Sequence, residues 1–155
     1  MKTKIIILFL AFVTLCTGTV AQTLNLDDVL NKSKRPVLFY FHTSWCVYCG
    51  LQSRMLKKDV GLIRELRAEF NVIDFDAESD TEVSYKNYQI RNINPQKYKP
   101  HPFVEQFKNT GEIGYPLWVL IDSNLSVQFL HQGYLKKKQL KEIVSFYKTK
   151  RKSSN

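Results

Sequence analysis

Val37-Leu38-Phe39-Tyr40-Phe41-His42-Thr43-Ser44-Trp45-Cys46-Val47-Tyr48-Cys49-Gly50-Leu51 is the stretch on which the reading of this chain turns. Residues 37–41 form a short continuous apolar run, the pattern of a strand buried on both faces. His42-Thr43-Ser44 ends that run. Beyond the cysteines, Leu51, Met55 and Leu56 fall near helical spacing, and Lys57 and Lys58 follow late, where cations suit a helix C-terminus. Cys46 and Cys49 therefore stand where a buried strand becomes a helix.

That placement has chemical consequences. The thiolate is the reactive form of cysteine, and an ordinary thiol is mostly protonated at neutral pH. A helix N-terminus offers unpaired N–H groups and the positive end of the macrodipole, which favour the thiolate of Cys46. Cys49 lies three residues on, so both sulfurs share one face of the first turn. One thiolate can attack a partner's disulfide, and the other can displace that partner by closing the intramolecular bond. Trp45 in front supplies a flat apolar collar.

Trp-Cys-x-x-Cys at a strand-to-helix junction resembles the active site of the thioredoxin superfamily. Gly114-Tyr115-Pro116, leading into Leu117-Trp118-Val119-Leu120-Ile121-Asp122, resembles the segment in which such proteins carry a cis-proline before a strand. Gly133-Tyr134-Leu135 and the lysine-rich amphipathic stretch after it resemble the last strand and C-terminal helix. The resemblance spans roughly residues 25–150. It implies an α/β, thioredoxin-like fold, a central mixed β-sheet flanked by helices. It also implies a Cys46–Cys49 redox disulfide, with Cys46 as attacking nucleophile and Cys49 as resolving thiol. Trp45, Tyr115 and Pro116 would shape the surface on which substrates dock. Cofactors: none, because the dithiol itself carries the electrons. The implied partners are protein thiols or disulfides, and a redox partner that resets the dithiol.

The sequence departs from the family in two places. Tyr40 stands where cytosolic thioredoxins share a buried aspartate, so proton handling through a buried carboxylate is not expected here. Val47-Tyr48 between the cysteines is neither the Gly-Pro of reducing thioredoxins nor the Pro-His of strong oxidants, and it carries no positive charge.

Toward the N-terminus, residues 1–21 read as a signal peptide. Lys2 and Lys4 form its basic region, Ile5 to Leu15 its apolar region, and Thr19-Val20-Ala21 the small-residue cleavage site. The apolar region is short for a bilayer span, so an uncleaved anchor is the alternative. A lipoprotein signal at Cys16 fits poorly, because bulky Leu15 precedes it. Export to a bacterial periplasm is expected, and the terminal Ser153-Ser154-Asn155 is not an endoplasmic-reticulum retention signal. Once residues 1–21 are removed, only Cys46 and Cys49 remain of the three cysteines, too few for a disulfide scaffold. Formal charge falls from +9 to +7 with the loss of Lys2 and Lys4. The lysine clusters at 136–138 and 148–152 read as a solvated helix face and a frayed basic tail over 151–155. Nucleic-acid motifs are absent, and membrane contact is not expected.

Residues 22–150 are read as one domain. Leu24 to Leu30 suggests a first helix capped by Asn25, and the helix after the cysteines breaks near Asp59-Val60-Gly61. Leu62 to Phe70 repeats apolar residues at helical spacing, and Asn71 to Asp76 alternates like a strand. Strand, helix, strand implies a parallel right-handed crossover. Phe103 to Phe107 reads as a short helix, Val127 to His131 as an antiparallel strand, and Lys136 to Tyr147 as a helix packed through Leu140, Ile143, Val144 and Tyr147.

Seventy positions separate Cys46 from Pro116, more than a minimal thioredoxin has, and the excess falls at residues 78–101. Val83, Tyr85, Tyr88 and Ile90 around Lys86-Asn87 predict an inserted hairpin. It reads either as a partner-recognition flap or as a peripheral embellishment, and is expected to be dispensable for folding but not for choice of partner.

Several chemistries compete for the cysteine pair. A purely structural disulfide gains little from so short a loop. Zinc needs four ligands, and His42, His101 and His131 show no ligand spacing. Covalent haem attachment fails because Gly50 stands where a histidine is required. The expected function is thus an exported thiol–disulfide oxidoreductase acting on proteins. The rival is a thioredoxin-like binding or chaperone module with a structural disulfide.

Overall fold

The computed structural model describes residues 22–109 and 111–153. The proposed signal peptide lies outside the described residues. The elements run β1 (Thr23–Asn25), α1 (Leu26–Ser33), β2 (Val37–His42), α2 (Val47–Lys58), α3 (Val60–Glu69), β3 (Asn71–Asp76), β4 (Glu82–Tyr85) and β5 (Tyr88–Ile90). They continue with α4 (Pro102–Glu105), β6 (Leu117–Ile121), β7 (Val127–Gln132) and α5 (Lys137–Ser153).

The main sheet has the order β3-β2-β6-β7. β2 pairs in parallel with β3 and antiparallel with β6, so the sheet is mixed as expected. Alternation along β2 explains why its apolar run is continuous. Val37, Phe39 and Phe41 face one core, and Leu38 and Tyr40 face the other. β6 repeats the split, with Leu117, Val119 and Ile121 on the first side and Trp118 and Leu120 on the second. The first core is closed by Leu26 and Leu30 of α1 and by Phe103, Val104 and Phe107 at α4. Leu62 and Leu66 of α3 and Leu140 and Val144 of α5 close the second. Helices thus cover both faces, as a sheet buried on two sides requires.

Two features differ from the sequence reading. Residues 23–25 form a strand, and Asn25 caps α1 from the end of that strand by accepting a hydrogen bond from the Asp28 N–H. This strand pairs in parallel with β4, and β4 pairs with β5, which makes a second, three-stranded sheet. The hairpin in 78–101 is present, with Lys86 at a positive φ of 51°, the sign that primed turns need at their first central position. The segment also reaches into the interior. Val83 belongs to the first core, and His101 is fully buried at the end of the segment. Excision would open the core at β1 and α4 as well as remove a flap.

The basic end is also ordered further than a frayed tail from 151. α5 continues to Ser153, because Arg151 and Lys148 reach the buried carboxylate of Glu69 at 2.9 and 4.0 Å. Among the described residues no helix is long and apolar enough to cross a membrane.

Candidate active site

α2 begins at the cysteines. Cys46 is its N-cap with extended backbone, and its Sγ accepts a hydrogen bond from the Cys49 N–H at 3.0 Å. The Gly50 N–H donates to the Cys46 carbonyl at 3.1 Å, the first turn of the helix. Cys46 and Cys49 are joined as a disulfide with their Cα atoms 5.2 Å apart. Cys46 is 9% exposed and Cys49 3%, so the outer sulfur belongs to the capping residue. A thiolate at Cys46 would meet the same N–H donor and the positive end of a helix of 12 residues.

Tyr40 approaches this turn from below. Its hydroxyl donates to the Cys49 carbonyl at 2.9 Å and lies 3.1 Å from Ser53 Oγ. Burial raises its pKa above the ordinary phenol value, with the Ser53 hydrogen bond working the other way and the Asp74 charge adding to the rise. Tyr40 is therefore a fixed neutral donor. His42, two residues along the same strand, places Nε2 2.7 Å from the Asp74 carboxylate. That hydrogen bond raises its affinity for a proton, against partial desolvation and aided by the charges of Asp74 and Asp76.

Around the disulfide the surface is apolar. Trp45, Val47, Tyr48 and Leu51 are all exposed, Val47 at 75% and Tyr48 at 62%. Isolated exposed apolar residues are ordinary, but four within seven residues beside a disulfide make an exposed apolar patch. The rings of Trp45 and Tyr115 meet edge to face at 6.0 Å, which brings the 114–116 loop against the cysteine segment. The Tyr115–Pro116 peptide is cis. The Pro116 carbonyl accepts from the Gly133 N–H at 2.7 Å, and the Gly114 N–H donates to Gln132 Oε1 at 2.8 Å, tying the loop to the end of β7. Trp45, Cys46, Cys49, Tyr115 and Pro116, singled out in the sequence, thus lie on two segments that touch.

Three participants were missed in the sequence. Glu78 accepts a hydrogen bond from Trp45 Nε1 at 2.8 Å and another from the Tyr98 N–H. Tyr98, at a φ of 66° that non-glycine residues seldom adopt, packs its ring 5.0 Å from that of Trp45. Both belong to the 78–101 segment, and nothing in its pattern marks either residue, because the pairing is made across 33 and 53 positions of chain. Gln52, fully buried on α2, accepts from the Leu135 N–H at 2.8 Å and donates to the Leu135 carbonyl at 3.1 Å. Its signal was a polar residue within the apolar spacing of α2.

No curated protein matches the chain in sequence. Among solved structures it is similar to a chloroplastic thioredoxin z, at 17% identity and a TM-score of 0.50, over 85% of this chain and 99% of that one. A thioredoxin from Thermus thermophilus is similar at 16% identity and a TM-score of 0.52, over 81% of this chain and 85% of that one. A disulphide isomerase from Xylella fastidiosa Temecula1 gives 16% identity and 0.50, over 77% and 86%. At these identities the likeness concerns the fold. The model of a thioredoxin-like domain matches residues 24–148, most of the chain including both cysteines and Pro116, and the chain accordingly belongs to the thioredoxin-like family.

Proposed function

We propose that this protein is an exported thiol–disulfide oxidoreductase that exchanges disulfides with protein substrates through Cys46-Val47-Tyr48-Cys49. The observation that carries the reading is the Cys46–Cys49 disulfide at the N-cap of α2, with Cys46 outermost. In the reducing direction the Cys46 thiolate attacks a substrate disulfide. A mixed disulfide forms and one substrate sulfur leaves as thiolate. Cys49, deprotonated, then attacks Cys46 Sγ, closes the intramolecular bond and expels the second substrate sulfur. Two electrons and two protons pass to the substrate. Oxidation runs the same steps backward. Trp45, Val47, Tyr48 and the Tyr115-Pro116 loop form the platform on which an extended substrate segment rests. Export is supported by the basic, apolar and small-residue pattern of residues 1–21.

The test is a resolving-cysteine trap. Cys49→Ala protein, expressed with its leader and quenched in acid, should carry reducible high-mass adducts on non-reducing gels. Those adducts should vanish when Cys46 is also replaced. Their absence from folded protein overturns the exchange reading in favour of a binding module with a structural disulfide. Appearance of the protein in the cytosolic rather than the extracytoplasmic fraction overturns export.

A further inference from the structure

Beside the disulfide lies a cleft of about 370 Å³ whose walls are aromatic and whose rim is acidic. Trp45 and Tyr115 form the side nearest the cysteines, and Tyr98 of the inserted segment faces Trp45. Glu78, Glu105 and Glu112 line the same cleft, against a single lining cation, Lys108. Among the described residues, Glu105 and Glu112 have no ion-pair partner and both are exposed. Glu78 is held by Trp45 and by the Tyr98 N–H, so its charge is fixed at the aromatic wall. Lys97 lies outside the lining, with its ammonium 4.9 Å from the Tyr98 ring centre.

Tyr115 contributes to this wall, and its Oη is shielded from solvent. Burial, and then the charges of Glu78, Asp76 and Glu105, raise its pKa far above the ordinary phenol value. The hydroxyl therefore stays neutral and adds no charge to the acidic rim.

We propose that this cleft receives the side chain of an arginine or lysine that flanks the reactive cysteine of a protein substrate. The proposal rests on the exchange reading above and names its substrate class. The chemistry is complementary throughout. Aromatic faces take the aliphatic stem and the cation, and the carboxylates take its charge. The cleft adjoins Trp45, so a residue bound there belongs to the chain segment that presents the cysteine. The inserted segment acquires a role: it supplies Glu78 and Tyr98, two of the walls.

The global field runs the other way. The chain carries a formal charge of +9, or +7 without Lys2 and Lys4, and long-range attraction favours acidic peptides. A preference for basic ones must therefore arise locally, within the screening length of about 8 Å at physiological salt. The test uses three model peptides, each closed by one disulfide and flanked by Arg, Ser or Glu, with the reduced full-length mature protein at physiological salt. The Arg peptide should be reduced roughly fivefold faster than the Glu peptide, the ratio expected of partly exposed charge pairs. In the double variant Glu105→Gln/Glu112→Gln the ratio should fall toward one, and in Lys108→Glu it should rise. Equal rates in the wild type, or an unchanged ratio in both variants, overturn the subsite. No exchange with any peptide overturns the oxidoreductase reading instead, which separates the two failures.

Discussion

The Tyr40 hydroxyl donates a hydrogen bond to the backbone carbonyl of Cys49 at 2.9 Å, joining the central strand to the first turn of the redox helix. Ser53 Oγ lies 3.1 Å from the same hydroxyl, one helical turn further on. Tyr40 thus clamps α2 by its backbone, where an ionisable group would act on the sulfur by charge. Tyr40→Phe should keep the ring packed on Trp118, 4.7 Å away, and lose only the clamp. A single buried hydrogen bond of this kind contributes about 1 kcal/mol. Urea denaturation of the oxidised protein should register that loss. An unchanged midpoint would mean that water replaces the hydroxyl.

The two thiols should differ in acidity once the disulfide is reduced. Cys46 caps α2 and its sulfur accepts the Cys49 N–H, whereas Cys49 is the more buried and lies one turn inside. Amide donors and the helix N-terminus stabilise a thiolate, and apolar burial opposes one. Alkylation across a pH series, with the adducts mapped, should label Cys46 first and at the lowest pH. Preferential early labelling of Cys49 would reverse the assignment of attacking and resolving sulfurs.

Two histidines should tilt stability in opposite directions. His42 has its pKa raised from 6.5, chiefly by the hydrogen bond to Asp74. The folded state then holds its proton more tightly. That stabilisation is fully present below 6.5 and is lost as pH rises through the raised value. Asp74 is 71% exposed, so solvent screening keeps the effect below about 1 kcal/mol. Asp74→Ala should cost stability at about pH 6 and almost none at about pH 9, where His42 is neutral. His101 has its pKa lowered from 6.5, chiefly by burial, while its contact with the Thr81 carbonyl works the other way. Its Nδ1 accepts from the Phe103 N–H at 3.0 Å and its Nε2 lies 2.8 Å from Thr81 O, so the neutral ring fills both places. The contribution is present above 6.5 and is lost as pH falls through the lowered value. His101→Gln should remove up to about one proton from the acid-side slope of stability against pH, about 1.4 kcal/mol per pH unit. Denaturation midpoints across pH measure both.

The outline of the fold was legible because its signals are local. The continuous apolar run at 37–41, the helical spacing of 62–70 and the alternation of 71–76 each carry a period that one segment contains by itself. The cysteine pair was legible for the same reason, as a spacing of three at a strand-to-helix junction. What the sequence hid is non-local. β1 is three residues long and acquires its strand character only by pairing with β4, 59 positions away in register. Glu78 and Tyr98 are polar and aromatic residues in an aperiodic loop, and they reveal a role only once Trp45 lies between them. His101, read as having no ligand spacing, is a buried cap whose two partners come from Thr81 and Phe103.

Gln52 presents the most severe expected loss for one side chain. It sits in the middle of α2, fully buried, and makes two hydrogen bonds to the backbone of Leu135. Leu135 is itself buried and immediately precedes the turn into α5. The amide thereby imitates a strand pair, giving the chain after β7 a partner on the redox helix across 83 positions. Gln52→Leu keeps most of the volume but leaves the Leu135 N–H and carbonyl buried and unpaired, with each orphaned group costing about 1–3 kcal/mol. The expected loss is about 2–6 kcal/mol, a large share of the stability of a domain this size. Gln52→Glu provides the contrast: the carboxylate keeps an acceptor for the N–H, loses the donor to the carbonyl, and adds a charge in a buried place. It should be at least as destabilising near neutral pH and should recover partly on acidification, when the protonated acid can donate again. Calorimetric unfolding of the two variants at two pH values decides the matter. A Gln52→Leu protein as stable as the wild type would show that the Leu135 backbone finds water, and that the segment leading into α5 is held without this clamp.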